Sequence, residues 1–176
     1  MALCKLNRNL LRSTSCGYNL PEIVDIYVAN YEDVSGTTTT ATTAGCESLT
    51  AITMATGTSF FHIEPAKNSA SFEDTLVVED NGNKYRHAQI TFNVTGTYDD
   101  CMKATLDAFS LGRYFVVVKT ADGNYLGFGR ISPLEAETVT LQGGSDTNGI
   151  QVILSANVAE SPIPLGEAAI ATVTGQ

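Results

Sequence analysis

The sequence predicts a mainly β protein, a two-sheet β-sandwich or partly closed barrel with one flanking α-helix. Three observations carry this expectation. Short apolar runs alternate with polar residues at a period of two, turn signals rich in Gly, Asn and Asp separate them, and a single segment has the 3.6-residue period of a helix. A length of 176 residues, 43% apolar and 16% charged, suits one domain with a substantial core.

In chain order, residues 1–21 form a basic arm. Lys5, Arg8 and Arg12 are its only charges, and Leu3, Leu6 and Leu10 fit either one helical stripe or an exposed segment that orders against a partner. The domain proper spans 22–164. EIVDIYVAN opens it as a strand, with Val24, Ile26 and Val28 facing one way and Ile23, Asp25 and Tyr27 the other. Residues 35–58 follow, ten of the 24 being Thr. Large apolar side chains are scarce before Leu49 and Ile52, so the first half is expected to be a mobile loop and CESLTAITMA a short strand. Ser35, Thr37, Thr38, Thr39, Thr40, Thr42, Thr43 and Thr58 are its candidate contacts for a neighbouring chain.

SFFHIE and SFEDTLVVED read as two further strands, the second turning through Asp80-Asn81-Gly82-Asn83 into YRHAQITFNV. Asn-Gly at a tip favours a type I′ turn, and Asp122-Gly123 gives the same signal between RYFVVVKT and YLGFGRI. In YRHAQITFNV the apolar face is Ala88, Ile90, Phe92 and Val94. The opposite row, Tyr85, His87, Gln89, Thr91 and Asn93, must meet water or a polar partner. The helix is expected after Thr97, whose hydroxyl stands at the N-cap with a carboxylate three residues on; Met102, Leu106 and Phe109 form its buried stripe and Gly112 its left-handed stop. ETVTLQ and IQVILSANV complete roughly eight strands, and residues 165–176 are an unassigned tail.

Charge and motif content narrow the function. Asp+Glu 19 against Lys+Arg 10 gives −9, which argues against general affinity for phosphate backbones. No run approaches a membrane span or a signal-peptide core, so cytoplasmic synthesis without export is expected, and with it free thiols at Cys4, Cys16, Cys46 and Cys101. The cysteines lack close pairs, and only His62 and His87 are available to help, so neither a metal nor another cofactor is expected. Neither histidine lies near a nucleophile motif, and the pairs Glu73/Asp74 and Asp99/Asp100 are explained by strand alternation and helix capping. Gly127-Phe128-Gly129 lies inside a hairpin with no helix end to hold a phosphate. No catalytic residue, and no enzyme, is expected.

The succession of helix, Gly112-Arg113, YFVVV, ADGN and YLGFG resembles the tail tube proteins of tailed bacteriophages, especially those of phages and prophages of Bacteroides-type hosts. The resemblance covers residues 60–164, with IVDIYVANYEDV similar to that family's first strand. It implies a β-sandwich with a flanking helix that forms hexameric rings, neighbouring subunits joining their sheets around a lumen lined by a row such as 85–93. Rings stack through long loops and terminal arms into a virion tube that meets other tail proteins and lets DNA pass without tight binding. A head–tail connector or capsid decoration protein is the alternative within the virion. A carbohydrate-binding or adhesive sandwich is the alternative from another class, disfavoured by the absence of Trp.

Overall fold

The computed structural model describes residues 22–41, 46–96, 99–144 and 148–175. Eleven strands and two α-helices occur among them: β1 (Ile23–Asn30), β2 (Val34–Ala41), β3 (Glu47–Met54), β4 (Phe61–Ile63), β5 (Ser71–Val78), β6 (Lys84–Val94), α1 (Met102–Leu111), β7 (Arg113–Thr120), β8 (Tyr125–Phe128), β9 (Leu134–Gly143), β10 (Asn148–Val158), β11 (Ile163–Pro164) and α2 (Glu167–Thr174). The expected class holds at the level of a mainly β fold. The sheet does not close: nine strands form one antiparallel sheet in the order β11-β8-β7-β9-β10-β6-β5, with β1 on the free edge of β7 and β4 beyond β1, while β2 and β3 make a separate ribbon.

The sheet bends so that β1 and β7 face β6 and β10 across a first core. Ile26, Val28, Ile90, Phe92, Val116, Val118, Val152 and Leu154 meet there, supplied by alternate residues of each strand. The other side of β1 and β7 is buried as well. Tyr27, Ala29, Phe115 and Val117 pack against Leu49 and Ile52 of β3, Phe60, Ile163, and Ala169 and Val173 of α2, forming a second core. A strand buried on both faces reads as a continuous apolar run, which is what YFVVV is.

Several expectations are corrected. Val24 does not join the Ile26 face: a β-bulge between Ile23 and Asp25 turns it outward and returns Ile23 to the first core. The Thr-rich segment is strand from Val34 to Ala41, paired antiparallel with β3. β-branched Thr suits the pleated backbone, and its hydroxyls find local partners: Thr50 Oγ1 donates to the Thr38 carbonyl at 3.1 Å, and Ser35 Oγ to the Thr53 carbonyl at 3.0 Å. Residues 167–174 of the supposed tail are helix α2, its Ala169 fully buried.

The hairpin tips also differ. Gly82 (φ 85°) and Gly123 (φ 83°) are the only positions of the two tips with positive φ. The Glu79 and Thr120 carbonyls accept hydrogen bonds from their NH groups, so each tip is a right-handed turn followed by a left-handed Gly, with the side chain of Asn81 or Asp122 free of the type I′ requirement. Helix α1 begins at Met102 with Cys101 at the N-cap, so Thr97 stands too far upstream for the role given it and lies outside the described residues. Asp99 Oδ1 instead accepts from the Cys101 NH at 3.0 Å. Gly112 is extended (φ −83°, ψ 165°), and a Cβ there would collide with the Tyr114 hydroxyl, which donates to the Ala108 carbonyl at 2.5 Å. Close approach, rather than handedness, demands Gly at that position.

Candidate assembly surfaces

Antiparallel register turns the predicted polar row into a polar face. Asn93, Thr91, Gln89 and His87 of β6 stand opposite Gln151, Ile153, Ser155 and Asn157 of β10 on one side, and Thr91, Gln89, His87 and Tyr85 opposite Ser71, Glu73, Thr75 and Val77 of β5 on the other. The sheet links these rows by side chain. His87 Nδ1 lies 3.0 Å from Asn157 Oδ1, and Gln89 Nε2 donates to Glu137 Oε2 of β9 at 2.8 Å. Asn93 ends the row, its side-chain oxygen buried without a partner among the described residues. Tyr85, His87, Gln89, Thr91 and Asn93 are thus brought together on one surface, as alternation predicts.

No Lys or Arg from β5, β6, β9 or β10 stands on this face. Lys84 and Arg86, the only cations of these four strands, alternate to the opposite side. There Arg86 Nε donates to Asp74 Oδ2 at 2.6 Å, and that hydrogen bond holds the guanidinium pKa above its ordinary value despite partial burial. The β5–β6 hairpin runs on past this pair, leaving Leu76 and Val78 more than half exposed on the same side.

The ribbon is a second surface. Thr37, Thr38, Thr39 and Thr40 lie on β2, Thr37 and Thr39 half-buried and Thr38 and Thr40 exposed, whereas Thr42 and Thr43 fall outside the described residues. Thr58 sits apart, its hydroxyl donating to the Ala55 carbonyl at 2.8 Å in the turn after β3. Only the β3 side of β2 is paired among the described strands. The predicted helix stripe is in place, with Met102, Leu106 and Phe109 on the first core, and Phe109 meets Phe92 and Tyr114 at ring-centroid distances of 5.9 and 5.7 Å. All three are half-buried, because α1 lies over an end of the core instead of within it.

One polar cluster has no counterpart in the sequence reading. Asp25 accepts from His62 Nε2 at 2.8 Å and from Lys119 Nζ at 3.0 Å, and the Tyr27 ring stacks on His62 at 4.9 Å. Burial pushes the Asp25 carboxyl up, but the hydrogen bonds from His62 and Lys119 outweigh it and the net pKa is lowered; the same bond raises Lys119. A carboxylate with a donor on each oxygen is a clamp across β4, β1 and β7, not a poised base. No signal in the sequence marks it, because it depends on cross-strand register: Asp25 pairs with Lys119 on β7 and Tyr27 with His62 on β4. Among the described residues no three His, Cys, Asp or Glu side chains are arranged to hold a metal, and no helix is long and apolar enough to cross a membrane.

A cleft of about 790 Å³ opens where α1 leans over the β1–β4 edge. Val28, Phe61, Ile63, Ala104, Ala108 and Phe109 supply its apolar walls, and Glu64 and Thr95 also line it.

These surfaces belong to a mainly β protein with a bent, open antiparallel sheet and an appended ribbon. The chain matches no protein-family model, and comparison with curated proteins and with solved structures likewise gives no significant match.

Proposed function

We propose that this chain is a non-catalytic structural subunit that assembles with copies of itself into stacked rings forming a phage tail tube, a conduit through which DNA passes. The observation that carries the reading is the broad polar face of β5, β6, β10 and β9, free of Lys and Arg from those strands. A wall that DNA must slide along needs hydration without counterion-releasing phosphate contacts, and this surface offers amides, hydroxyls and the carboxylates Glu73 and Glu137. The projecting hairpin with exposed Leu76 and Val78 and the ribbon with one unpaired edge supply material for contacts between copies. Six-fold rings, other tail proteins as partners and location in the virion come from the resemblance alone.

Negative-stain imaging of concentrated protein tests the reading. Rings or tubes are expected, and a particle that stays monomeric at every concentration overturns it. The wall itself is tested by the triple variant Gln89→Lys, Thr91→Lys, Ser155→Lys. Tubes of the variant should retain double-stranded DNA at low salt and release it as salt rises, while wild-type tubes retain none. Equal retention by both would remove this face from the lumen.

A further inference from the structure

We propose that the cleft beneath α1 is the docking site for this chain's own N-terminal segment, residues 2–12, whose leucines fill the apolar walls while its cations face the acidic mouth. This inference goes beyond the tube reading and does not depend on it. The cleft's volume of about 790 Å³ far exceeds what one water or one side chain occupies. Its helix wall carries Ala104 and Ala108, small residues that leave the space open, and on the strand side Phe61 is 60% exposed. Such a surface needs an apolar occupant.

Length, exit point and charge name that occupant. Residues 2–12 read ALCKLNRNLLR, in which Leu3, Leu6 and Leu10 recur at helical spacing and Lys5, Arg8 and Arg12 recur at another angle. The described chain starts at Glu22, whose carbonyl accepts from the Ala121 NH at 2.9 Å and whose Oε1 accepts from the Asn68 NH at 3.3 Å. Asn68 is four residues along the chain from Glu64, which lines the cleft. Residues 13–21 span up to roughly 30–32 Å when extended, more than the roughly 26 Å that β1 covers between Glu22 and Asn30 on the cleft lining. At the mouth, Glu64 has no ion-pair partner among the described residues, and Asp99 and Asp100 adjoin Cys101 on the lining. A basic segment meets its complement there.

Native cysteines provide the test, since Cys4 lies within the segment and exposed Cys101 lines the cleft. In the full chain carrying Cys16→Ser and Cys46→Ser, dilute protein is treated with diamide, which takes up the two electrons and two protons that the thiols lose. Mass spectrometry of the peptides then locates the new bond, which requires Cα atoms within about 7 Å. A Cys4–Cys101 bond within one chain is expected to form at least ten times faster than Cys4–Cys46 in the Cys16→Ser, Cys101→Ser chain. Adding Leu6→Glu and Leu10→Glu should erase that preference and leave the thermal midpoint within a few degrees. Equal rates, bonds formed only between chains, or a preference that survives the glutamates would each overturn the assignment.

Discussion

The two cores flank the same pair of strands yet are built differently. The first is walled by long strands on both sides, β1 and β7 against β6 and β10, whose alternate residues interdigitate. The second sets the far faces of β1 and β7 against a Thr-rich ribbon and a short helix of small residues. A single fully buried leucine, Leu49, and one aromatic pair, Phe60 with Phe115, supply much of its bulk. The difference teaches that Val, Phe and Tyr in the central strands define both cores, whereas the covering layer needs only a few anchors and can otherwise be polar.

The comparison can be broken or sharpened by substitution. Phe115→Ala should cost about 3–5 kcal/mol in urea denaturation, as much as Phe92→Ala in the first core. A cost below about 1 kcal/mol would reduce the second core to a surface patch. Leu49→Ala should follow at about 2–4 kcal/mol and should raise hydrogen exchange selectively in residues 167–174, because Leu49 also bridges to Leu165 and its carbonyl receives the Gly166 NH. Unchanged exchange in the helix would mean that the ribbon and α2 are held independently. Phe109→Ala should cost only about 1–2 kcal/mol, since the ring is half-buried. A loss equal to that of Phe92→Ala would put α1 inside the first core.

The Asp25 clamp makes a prediction in pH. Its carboxyl pKa is lowered in the folded chain, so its contribution is fully present above the unfolded value near 4 and is lost as pH falls through the lower folded value. Asp25→Asn should therefore flatten the acid limb of stability below about pH 4, and an unchanged limb would show that other carboxylates dominate. The smallest effect is expected from Arg113→Ala, whose pair with Glu32 is solvent-exposed on both sides. Its loss should stay within about 0.5 kcal/mol.

Legibility in the sequence follows the same division. β1, β6, β7 and β10 announce themselves because a wall of large side chains imposes either alternation or an unbroken apolar run. β2 was hidden: four consecutive threonines look like a polar loop by hydropathy, although each is β-branched and pairs well in a strand. EAAIATVT offers too little bulk and too few turns for its helix to stand out without the surface beneath it. Of the candidate surfaces, the row from Tyr85 to Asn93 was visible as one face of a strand. Its links to Asn157 and Glu137 were not, because cross-strand register is a property of the assembled sheet. The cleft was invisible for the same reason: its walls come from segments far apart in the chain.

The seating of β1 has a consequence for the order in which the chain acquires structure. Its long partner is β7, and the clamp joins Asp25 to Lys119, 94 positions later. A nascent chain therefore carries an apolar strand whose sole early partner among the described strands is the three-residue β4, and which stays without its long partner until β7 has left the ribosome. The β2–β3 and β5–β6 hairpins close over short loops and can form early. Completion must await a long-range encounter, which places folding in the slow, millisecond-to-second range of proteins dominated by distant pairings. During that interval the IVDIYVAN segment is the part most in need of protection from other nascent chains.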